Sequence, residues 1–238
     1  MNARKSALVI GGTGAIGHRI VSQLIARQYS VYSTFCNESD TTDGRAHWIQ
    51  YDALSDSHSA LLELSVTIPT PLSAVFFCIG IPSSKLPVID TDPHEFARLL
   101  QVNCISFVKV YSMFAAKCRS SDARVLALSS STTRSIGPRN GAYSASKAAL
   151  ESVVVTLAKE EAAYGVRVNA LAPSLVASPL ADHLLILKGI ENRQEYVQQQ
   201  AWGRLLSLSE VAESAVSLAT DSCWSYMTGQ VIRLSAER

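Results

Sequence analysis

A cluster of glycines directly after the first apolar segment constrains the fold of this chain more than any other feature. Residues Ser6 to Ile10 form an apolar segment of strand type, and the turn Gly11-Gly12-Thr13-Gly14-Ala15-Ile16-Gly17 follows at once. Apolar residues then recur at helical spacing, and a second strand is predicted over Val31 to Phe35. The chain therefore begins with a strand–turn–helix–strand unit, which is typical of α/β proteins with a parallel sheet.

The same alternation of strands and helices continues to the end of the chain. Further strands are predicted over 48–51, 74–79, 124–129, 167–172 and 230–234, and helices over 57–64, 93–118, 142–164, 194–200 and 209–219. This order predicts a doubly wound, Rossmann-type fold with a central, mostly parallel sheet of about seven strands flanked by helices. No linker divides the chain, so we expect one domain over residues 1–238. Within it we expect a substrate lid over 174–200, whose least regular part is Ser174 to Ile190.

Composition and charge argue against several classes of partner. The 21 basic and 20 acidic residues among 238 give a net charge of +1, which argues against nucleic acid or an anionic membrane as a partner. No apolar run approaches the ~20 residues of a membrane-spanning helix, and the first residues lack the pattern of a signal peptide. The five cysteines are scattered without a Cys-x-x-Cys pair. We therefore expect a cytoplasmic protein with no disulfide and no metal site.

The glycine turn carries the first functional signal. Gly11, Gly14 and Gly17 lie three residues apart between strand and helix, where they permit a tight turn and let a pyrophosphate approach the backbone. The amino terminus of the helix adds free amide groups and a partial positive charge. A tight turn without a ligand also uses glycine, but the position within a strand–helix–strand unit favours dinucleotide binding.

The pair Tyr143 and Lys147 carries the second signal. The two residues lie four apart at the start of a predicted helix, so they share a face. An ammonium ~4 Å from a phenol lowers the phenol's pKa of ~10 by up to ~3 units at an effective dielectric constant of ~20. A tyrosine so placed can transfer a proton near neutral pH. By itself the pair indicates little, because this spacing is common on helices.

Together with the segments around them, these residues resemble the short-chain dehydrogenase/reductase family, in its short, single-domain branch. The resemblance covers nearly the whole chain and is carried by Val102-Asn103, Ser129-Ser130-Ser131 and the segments 141–150, 164–173, 202–204, 209–212 and 226–230. Ser130 lies 13 residues before Tyr143, which is the family's usual interval.

The resemblance implies an NAD(P)-dependent oxidoreductase that interconverts a carbonyl group and a secondary alcohol. It implies that Tyr143 is the general acid in reduction and that Ser130 binds the substrate oxygen, with Ser131 as the alternative serine. It also implies that Lys147 lowers the pKa of the tyrosine and binds the nicotinamide ribose. Asn103 is expected to hold a water that links Lys147 to solvent.

The resemblance also implies cofactor contacts from the glycine turn, from the ends of several strands and from the lid. The expected contact residues are Gly11, Thr13, Gly14, Ile16, Gly17, Phe35, Cys36, Asn37, Asp52, Ala53, Cys78, Ile79, Gly80, Tyr143, Lys147, Pro173, Val176 and Ser178. Asp52 is an expected partner of the adenine amine, and a simple turn aspartate is its alternative reading.

The end of the second strand bears on the choice of cofactor. An NAD-binding protein usually places a carboxylate there for the ribose 2′-hydroxyl, but this chain has Phe35, Cys36 and Asn37. No carboxylate in that segment repels a 2′-phosphate, although Glu38 is close. The sequence therefore predicts NADP, with NAD as the alternative.

The chain departs from the family pattern at four places, which include Pro173-Ser174 in place of the usual Pro-Gly and an end without the usual Asp-Gly-Gly. Ala15 replaces a usual glycine, which gives a spacing like that of the longer, epimerase-like branch, and Phe77-Cys78-Ile79-Gly80 replaces the usual Asn-Asn-Ala-Gly. An epimerase or dehydratase is therefore one rival hypothesis, opposed by the chain length. A catalytically silent nucleotide sensor is another, as is an NAD-dependent alcohol dehydrogenase.

The predicted lid is rich in leucine, so the expected substrate is small and mainly apolar. The expected pocket residues are Ile81, Ile136, Leu175, Val176, Leu180, Leu184, Leu185 and Leu187, with His183 as a further candidate. Ketone reduction in a biosynthetic pathway is the predicted role.

We expect the protein to form a homotetramer or a homodimer. The two long helices carry apolar residues over much of their surface, namely Phe107, Val110, Met113, Phe114, Leu150, Val153, Val154 and Leu157. One side of each helix is expected to pack on the sheet, and the family resemblance implies that the other side meets a partner subunit. Light scattering at micromolar concentration should give a multiple of the 25.7 kDa chain mass, and a mass of one chain would contradict the prediction.

Overall fold

Seven strands build one parallel sheet at the centre of the molecule. The computed structural model describes residues 4–37, 43–55, 58–69 and 71–235. The strands found there are β1 (Ser6–Ile10), β2 (Ser30–Phe35), β3 (Ala46–Gln50), β4 (Leu72–Phe77), β5 (Arg124–Leu128), β6 (Arg167–Pro173) and β7 (Val231–Leu234). Their order is β3-β2-β1-β4-β5-β6-β7, and every neighbouring pair is parallel. The predicted fold class is confirmed.

Helices cover both faces of this sheet. They are α1 (Ala15–Ala26), α2 (His58–Thr67), α3 (Pro93–Leu100), α4 (Ser106–Arg119), α5 (Gly141–Glu161), α6 (Pro179–Leu187), α7 (Arg193–Gln198) and α8 (Leu208–Thr220). Helices α2, α4 and α5 contribute to one hydrophobic core, and α1 and α8 contribute to the other. The first residue of the predicted helix 57–64 lies outside the described residues.

The first strand shows why the sequence has uninterrupted apolar strands. All five residues of β1 are buried, because side chains alternate between two faces that are both covered. Leu8 and Ile10 join the core beneath α4 and α5, whereas Ala7 and Val9 join the core beneath α1. The chain order reverses beside β1, which has β2 on one side and β4 on the other. In such sheets ligands bind beyond the carboxyl ends of the strands at this switch point.

The predicted helix 93–118 is divided by a π-helical turn. Helix α3 continues through the turn Gln101–Ile105 into α4. By length and composition alone the 27-residue segment Pro93–Arg119 is apolar enough to cross a membrane, and half of its most apolar window is buried inside the fold. Phe107 and Phe114 from this segment lie in the core, as expected of a helix that packs on a sheet.

The expectation of an irregular stretch from Ser174 to Ile190 is wrong, because the stretch contains α6. Ser178 accepts a hydrogen bond from the amide of Ala181 at 3.3 Å and so caps the helix. Pro179 occupies the first turn, where proline is tolerated because that amide has no partner within the helix. The Ser-Pro pair is therefore a helix start here, and it is not a break in the structure.

The apolar residues that suggested a subunit interface mostly fill the core of the chain itself. Phe107, Val110, Phe114, Leu150 and Val154 are buried. The other three residues, Met113, Val153 and Leu157, are partly buried and pack against the same core. Residues left exposed on this part of the chain include Ile105 and Val108, so oligomerisation stays a prediction.

Candidate active site

A cavity of about 690 Å³ opens at the carboxyl edge of the sheet. Its walls come from the glycine turn, from the segments after β4, β5 and β6, and from α5, α6 and α7. Of the expected site residues, it is lined by Gly14, Ile16, Gly17, Cys78, Ile79, Gly80, Ser130, Ser131, Tyr143, Lys147, Pro173, Val176 and Ser178. The folded chain therefore brings Ser130, Tyr143 and Lys147 to the same cavity as the glycine turn.

The glycine turn is shaped by two steric requirements. Gly11 has φ +84, in the region that favours glycine, and its amide donates to Oγ1 of Thr34 at 2.8 Å. A Cβ on Gly17 would lie 2.2 Å from the carbonyl oxygen of Gly11, so only glycine lets α1 pack this closely on the turn. Gly14 is different, because a Cβ there would lie 3.4 Å from its nearest neighbour, an ordinary contact.

The start of α1 suits a phosphate group. Gly14 precedes the helix, and no side chain caps the first turn. Helix amide groups in the first turn lack carbonyl partners and carry partial positive charge. Because Gly14 through Gly17 line the cavity, the residues present fit the pyrophosphate of a dinucleotide.

Ser130 and Tyr143 meet inside the cavity. Ser130 follows β5 and accepts hydrogen bonds from the amide of Thr132 at 3.3 Å and from its hydroxyl at 3.0 Å. Burial raises the pKa of Tyr143 above its usual value, while a hydrogen bond with Ser130 opposes that rise. Tyr143 therefore holds its proton at neutral pH.

Lys147 lies beneath this pair and is 3% exposed. Its Nζ donates to the carbonyl oxygen of Leu128 at 2.8 Å. Burial lowers the pKa of Lys147 to about 8, although Cys78, Cys104 and Glu151 oppose the shift. Burial dominates the pKa of Tyr143 in the polypeptide alone, so the lowering of that pKa by Lys147 stays a prediction.

Asn103 is fully buried in the π-helical turn and joins the segment after β4 to α5. Its Oδ1 accepts from the amide of Ile81 at 2.8 Å, and its Nδ2 donates to the carbonyl of Ile81 at 3.2 Å and to Oγ of Ser146 at 2.9 Å. Both amide protons are thus engaged, and one lone pair of Oδ1 remains for a water. Asn103 does not line the cavity itself.

Gly80 allows these residues to come together. A Cβ at this position would lie 3.0 Å from Nζ of Lys147 and 3.6 Å from Oδ1 of Asn103. Any side chain would therefore force the ammonium of Lys147 to move by a few tenths of an ångström. This explains why the segment after β4 keeps its glycine although its preceding residues differ from the family pattern.

Several expected cofactor contacts lie outside the cavity. They are Gly11, Thr13, Phe35, Cys36, Asn37, Asp52 and Ala53. Oδ1 of Asp52 accepts from the amide of Leu54 at 2.9 Å, which agrees with the alternative reading of a turn aspartate. Glu38 lies outside the described residues.

The substrate end of the cavity differs from the prediction in its polarity. Ile81, Leu175, Val176, Leu180 and Leu184 line it as expected, whereas Ile136, Leu185, Leu187 and His183 do not. Sequence reasoning missed Lys85, Asn140, Lys188, Tyr196 and Gln200, which also line it. Tyr196 lies within the short α7 and the other four residues lie in loops or beside helix ends. No motif links them, so only their proximity in the folded chain identifies them.

A glycine turn at the switch point, combined with Ser130, Tyr143 and Lys147 on one cavity, is the arrangement of a dinucleotide-dependent oxidoreductase. A family model described as enoyl-(acyl carrier protein) reductase matches residues 12–236. The chain belongs to the short-chain dehydrogenase/reductase family and is an NAD(P)-dependent oxidoreductase.

Individual proteins resemble the chain over nearly its full length. The uncharacterized oxidoreductase YmfI of Bacillus subtilis is 26% identical over 243 residues, which cover 97% of this chain and 97% of that protein. The 2-dehydro-3-deoxy-L-rhamnonate dehydrogenase (NAD(+)) of a Sphingomonas species is 26% identical over 252 residues, covering 99% and 96%. The structure of ElxO with NADP bound has a TM-score of 0.85 at 19% identity, covering 98% and 97%, and shows the shared fold.

The glycine turn gives a paired prediction about stability. Gly17→Ala should lower the free energy of unfolding by ~1–3 kcal/mol, because its Cβ meets backbone that has to move. Gly14→Ala is the matched control and should change it by less than ~0.5 kcal/mol. Urea unfolding of both variants measures this, and equal losses would refute the steric account of the turn.

The lowered pKa of Lys147 gives a prediction about pH. Dinucleotide binding should weaken as pH rises through about 8, because the buried ammonium loses its proton there. The nearby thiol of Cys78 has a pKa raised to about 12 and stays neutral over this range. Titrations of NADPH by fluorescence between pH 7 and pH 9 test this, with Lys147→Met as the comparison. An identical pH dependence in that variant would contradict the assignment.

Proposed function

We propose that this protein reduces the carbonyl group of a small molecule to a secondary alcohol, with NADPH as the reductant. The observation that carries the proposal is the placement of Ser130, Tyr143 and Lys147 on the cavity that the glycine turn also lines. When bound, the dinucleotide supplies the hydride that the protein's side chains lack.

Tyr143 acts in this proposal as the proton donor. Its raised pKa keeps the phenol protonated at neutral pH, which suits an acid that protonates the oxygen of a carbonyl during reduction. The hydroxyl of Ser130 accepts from Thr132 and is hydrogen-bonded to Tyr143, so the two hydroxyl groups are close enough to contact one substrate oxygen. Both groups can then hydrogen-bond the carbonyl oxygen that is reduced.

Lys147 and Asn103 assist Tyr143, the proton donor. An ammonium has three N–H donors, and Lys147 uses one of them in the hydrogen bond to the carbonyl oxygen of Leu128. The remaining donors are available to the ribose hydroxyls of the dinucleotide. Asn103 holds the backbone of Ile81 and the side chain of Ser146, so it positions the segment after β4 against α5, and its free lone pair can accept from a water near Lys147.

The preference for NADP rests on the end of β2. Phe35, Cys36 and Asn37 offer no carboxylate at that position, and ElxO, which has the same fold, binds NADP. The Sphingomonas relative carries NAD(+) in its name, which keeps an NAD-dependent dehydrogenase as the second candidate.

We further propose that the protein has a mobile lid, that it forms an oligomer and that it is located in the cytoplasm. Residues 174–200 cover one side of the cavity through α6 and α7, and we infer that they move when substrate enters. The chain is treated as one catalytic domain that assembles into a homotetramer or homodimer. All five cysteines are free thiols, which suits a cytoplasmic location.

The rival hypotheses predict different behaviour. A silent nucleotide sensor would bind NADPH without oxidising it in the presence of any carbonyl compound. An epimerase or dehydratase would convert its substrate without net consumption of the dinucleotide. A ketone reductase in a biosynthetic pathway consumes one NADPH for each alcohol formed.

Tyr143→Phe should abolish turnover while leaving the dinucleotide bound. General acids contribute about 10²–10⁴ to a rate, and the variant removes only the phenolic hydroxyl. Loss of NADPH absorbance reports turnover with a reducible ketone, and NADPH fluorescence reports binding. Near-normal turnover in the phenylalanine variant would overturn the assigned acid.

The cofactor preference is tested by comparing NADPH with NADH on one ketone. We expect kcat/KM to favour NADPH by at least about tenfold, which corresponds to ~1.4 kcal/mol. The control is the same comparison in Glu38→Gln. A clear preference for NADH that Glu38→Gln removes would show that Glu38 binds the ribose and that the prediction is wrong.

A further inference from the structure

The cavity carries an uncompensated positive charge. Three lysines line it, namely Lys85, Lys147 and Lys188, and its described lining contains no aspartate or glutamate. Lys147 belongs to the catalytic group. The proposed mechanism does not use Lys85 or Lys188. Both lie on the substrate side of the cavity, near Tyr143 and the lid.

Lys85 is held in place by the fold. It is 8% exposed and has φ +62, a backbone conformation that side-chain-bearing residues seldom adopt. Its Nζ donates to Oδ1 of Asn140 and lies 5.7 Å from the centre of the Tyr143 ring. The backbone twist and the bond to Asn140 therefore fix a cation beside the proton donor.

No acidic side chain neutralises this cation among the described residues. The salt bridges of the described chain do not include Lys85. Glu95, on the neighbouring α3, accepts instead from the amide and the hydroxyl of Ser84, both at 2.7 Å. Burial lowers the pKa of Lys85, and the charge of Lys188 adds to that effect. A buried ammonium without a counter-ion is costly unless a ligand supplies the negative charge.

Lys188 approaches the same space from the lid. It follows α6, is exposed, and lies 6.0 Å from the centre of the Tyr196 ring. Its positive charge lowers the pKa of Lys85. An anion bound at Lys85 would therefore also attract the lid residue.

We propose that the substrate is a keto acid, whose carboxylate Lys85 binds while its carbonyl lies at Tyr143. This inference rests on the proposed function and names its substrate class. The ammonium of Lys85 has further N–H donors beyond the one given to Asn140. The 5.7 Å between Nζ and the tyrosine ring lets one small molecule reach both groups. Ile81, Leu180 and Leu184 then contact the hydrocarbon between the two polar ends.

The first experiment measures binding without turnover. Cyclohexanecarboxylate and the uncharged cyclohexanecarboxamide are titrated calorimetrically into the protein saturated with NADP⁺. We expect the carboxylate to bind at least about tenfold more tightly, a difference of ~1.4 kcal/mol. Lys85→Met should bring the ratio of the two affinities close to one. Lys5→Met is the matched control, because Lys5 is exposed at the opposite end of β1 and should keep the wild-type ratio.

Equal affinities in the wild-type protein, or an unchanged ratio in Lys85→Met, would overturn the inference. If circular dichroism shows that Lys85→Met does not fold, Lys188→Met replaces it, since Lys188 is exposed. That variant should reduce the ratio by about threefold, and an unchanged ratio there would equally count against the carboxylate site.

Turnover is measured separately with 4-oxocyclohexanecarboxylate and 4-oxocyclohexanecarboxamide. Oxidation of NADPH with a preference for the acid supports both the proposed function and the carboxylate site. Turnover of both compounds at equal kcat/KM supports the function and overturns the site. Selective binding of cyclohexanecarboxylate without any turnover supports the site and overturns the function.

Discussion

The hydrogen bond between Lys147 and the carbonyl of Leu128 is the contact on which the rest of the site depends. It joins α5 to the last residue of β5, two positions before Ser130. The same helix carries Tyr143 one turn earlier, so one buried bond sets the relation between the serine and the tyrosine. Gly80 leaves room for it from below. Lys147 is buried, so this bond forms only when the segments that surround it have packed together.

Much of the fold was predictable, because the sheet is covered on both faces. Burial on both sides produces the uninterrupted apolar strands that mark β1 and β4 in the sequence. The glycines, Tyr143 and Lys147 were found by spacing, since a turn and a helix fix the relation of near neighbours. The prediction failed at α6, which lies in the stretch expected to be least regular, because Ser178 and Pro179 form a helix start there.

The substrate end could not be predicted from the sequence for a different reason. Lys85 and Asn140 are 55 positions apart and belong to loops whose paths are set by the strands between them. No periodicity or motif links two such residues. The burial of Tyr143 could not be predicted either, because a helical spacing gives the distance to a charge but says nothing about how much water surrounds the phenol.

The π-helical turn at Gln101–Ile105 has a consequence for the geometry of the long helical segment. A π turn contains one residue more than an α turn, so the faces of α3 and α4 are out of phase by about 100°. The apolar faces of α3 and α4 therefore do not form one continuous stripe along the segment. At the π turn between them the amide of Asn103 is buried with its hydrogen bonds satisfied. Because the extra residue lies in this turn, removing one residue there would leave a continuous α-helix with α4 still facing the sheet, and the position that holds Asn103 would be lost.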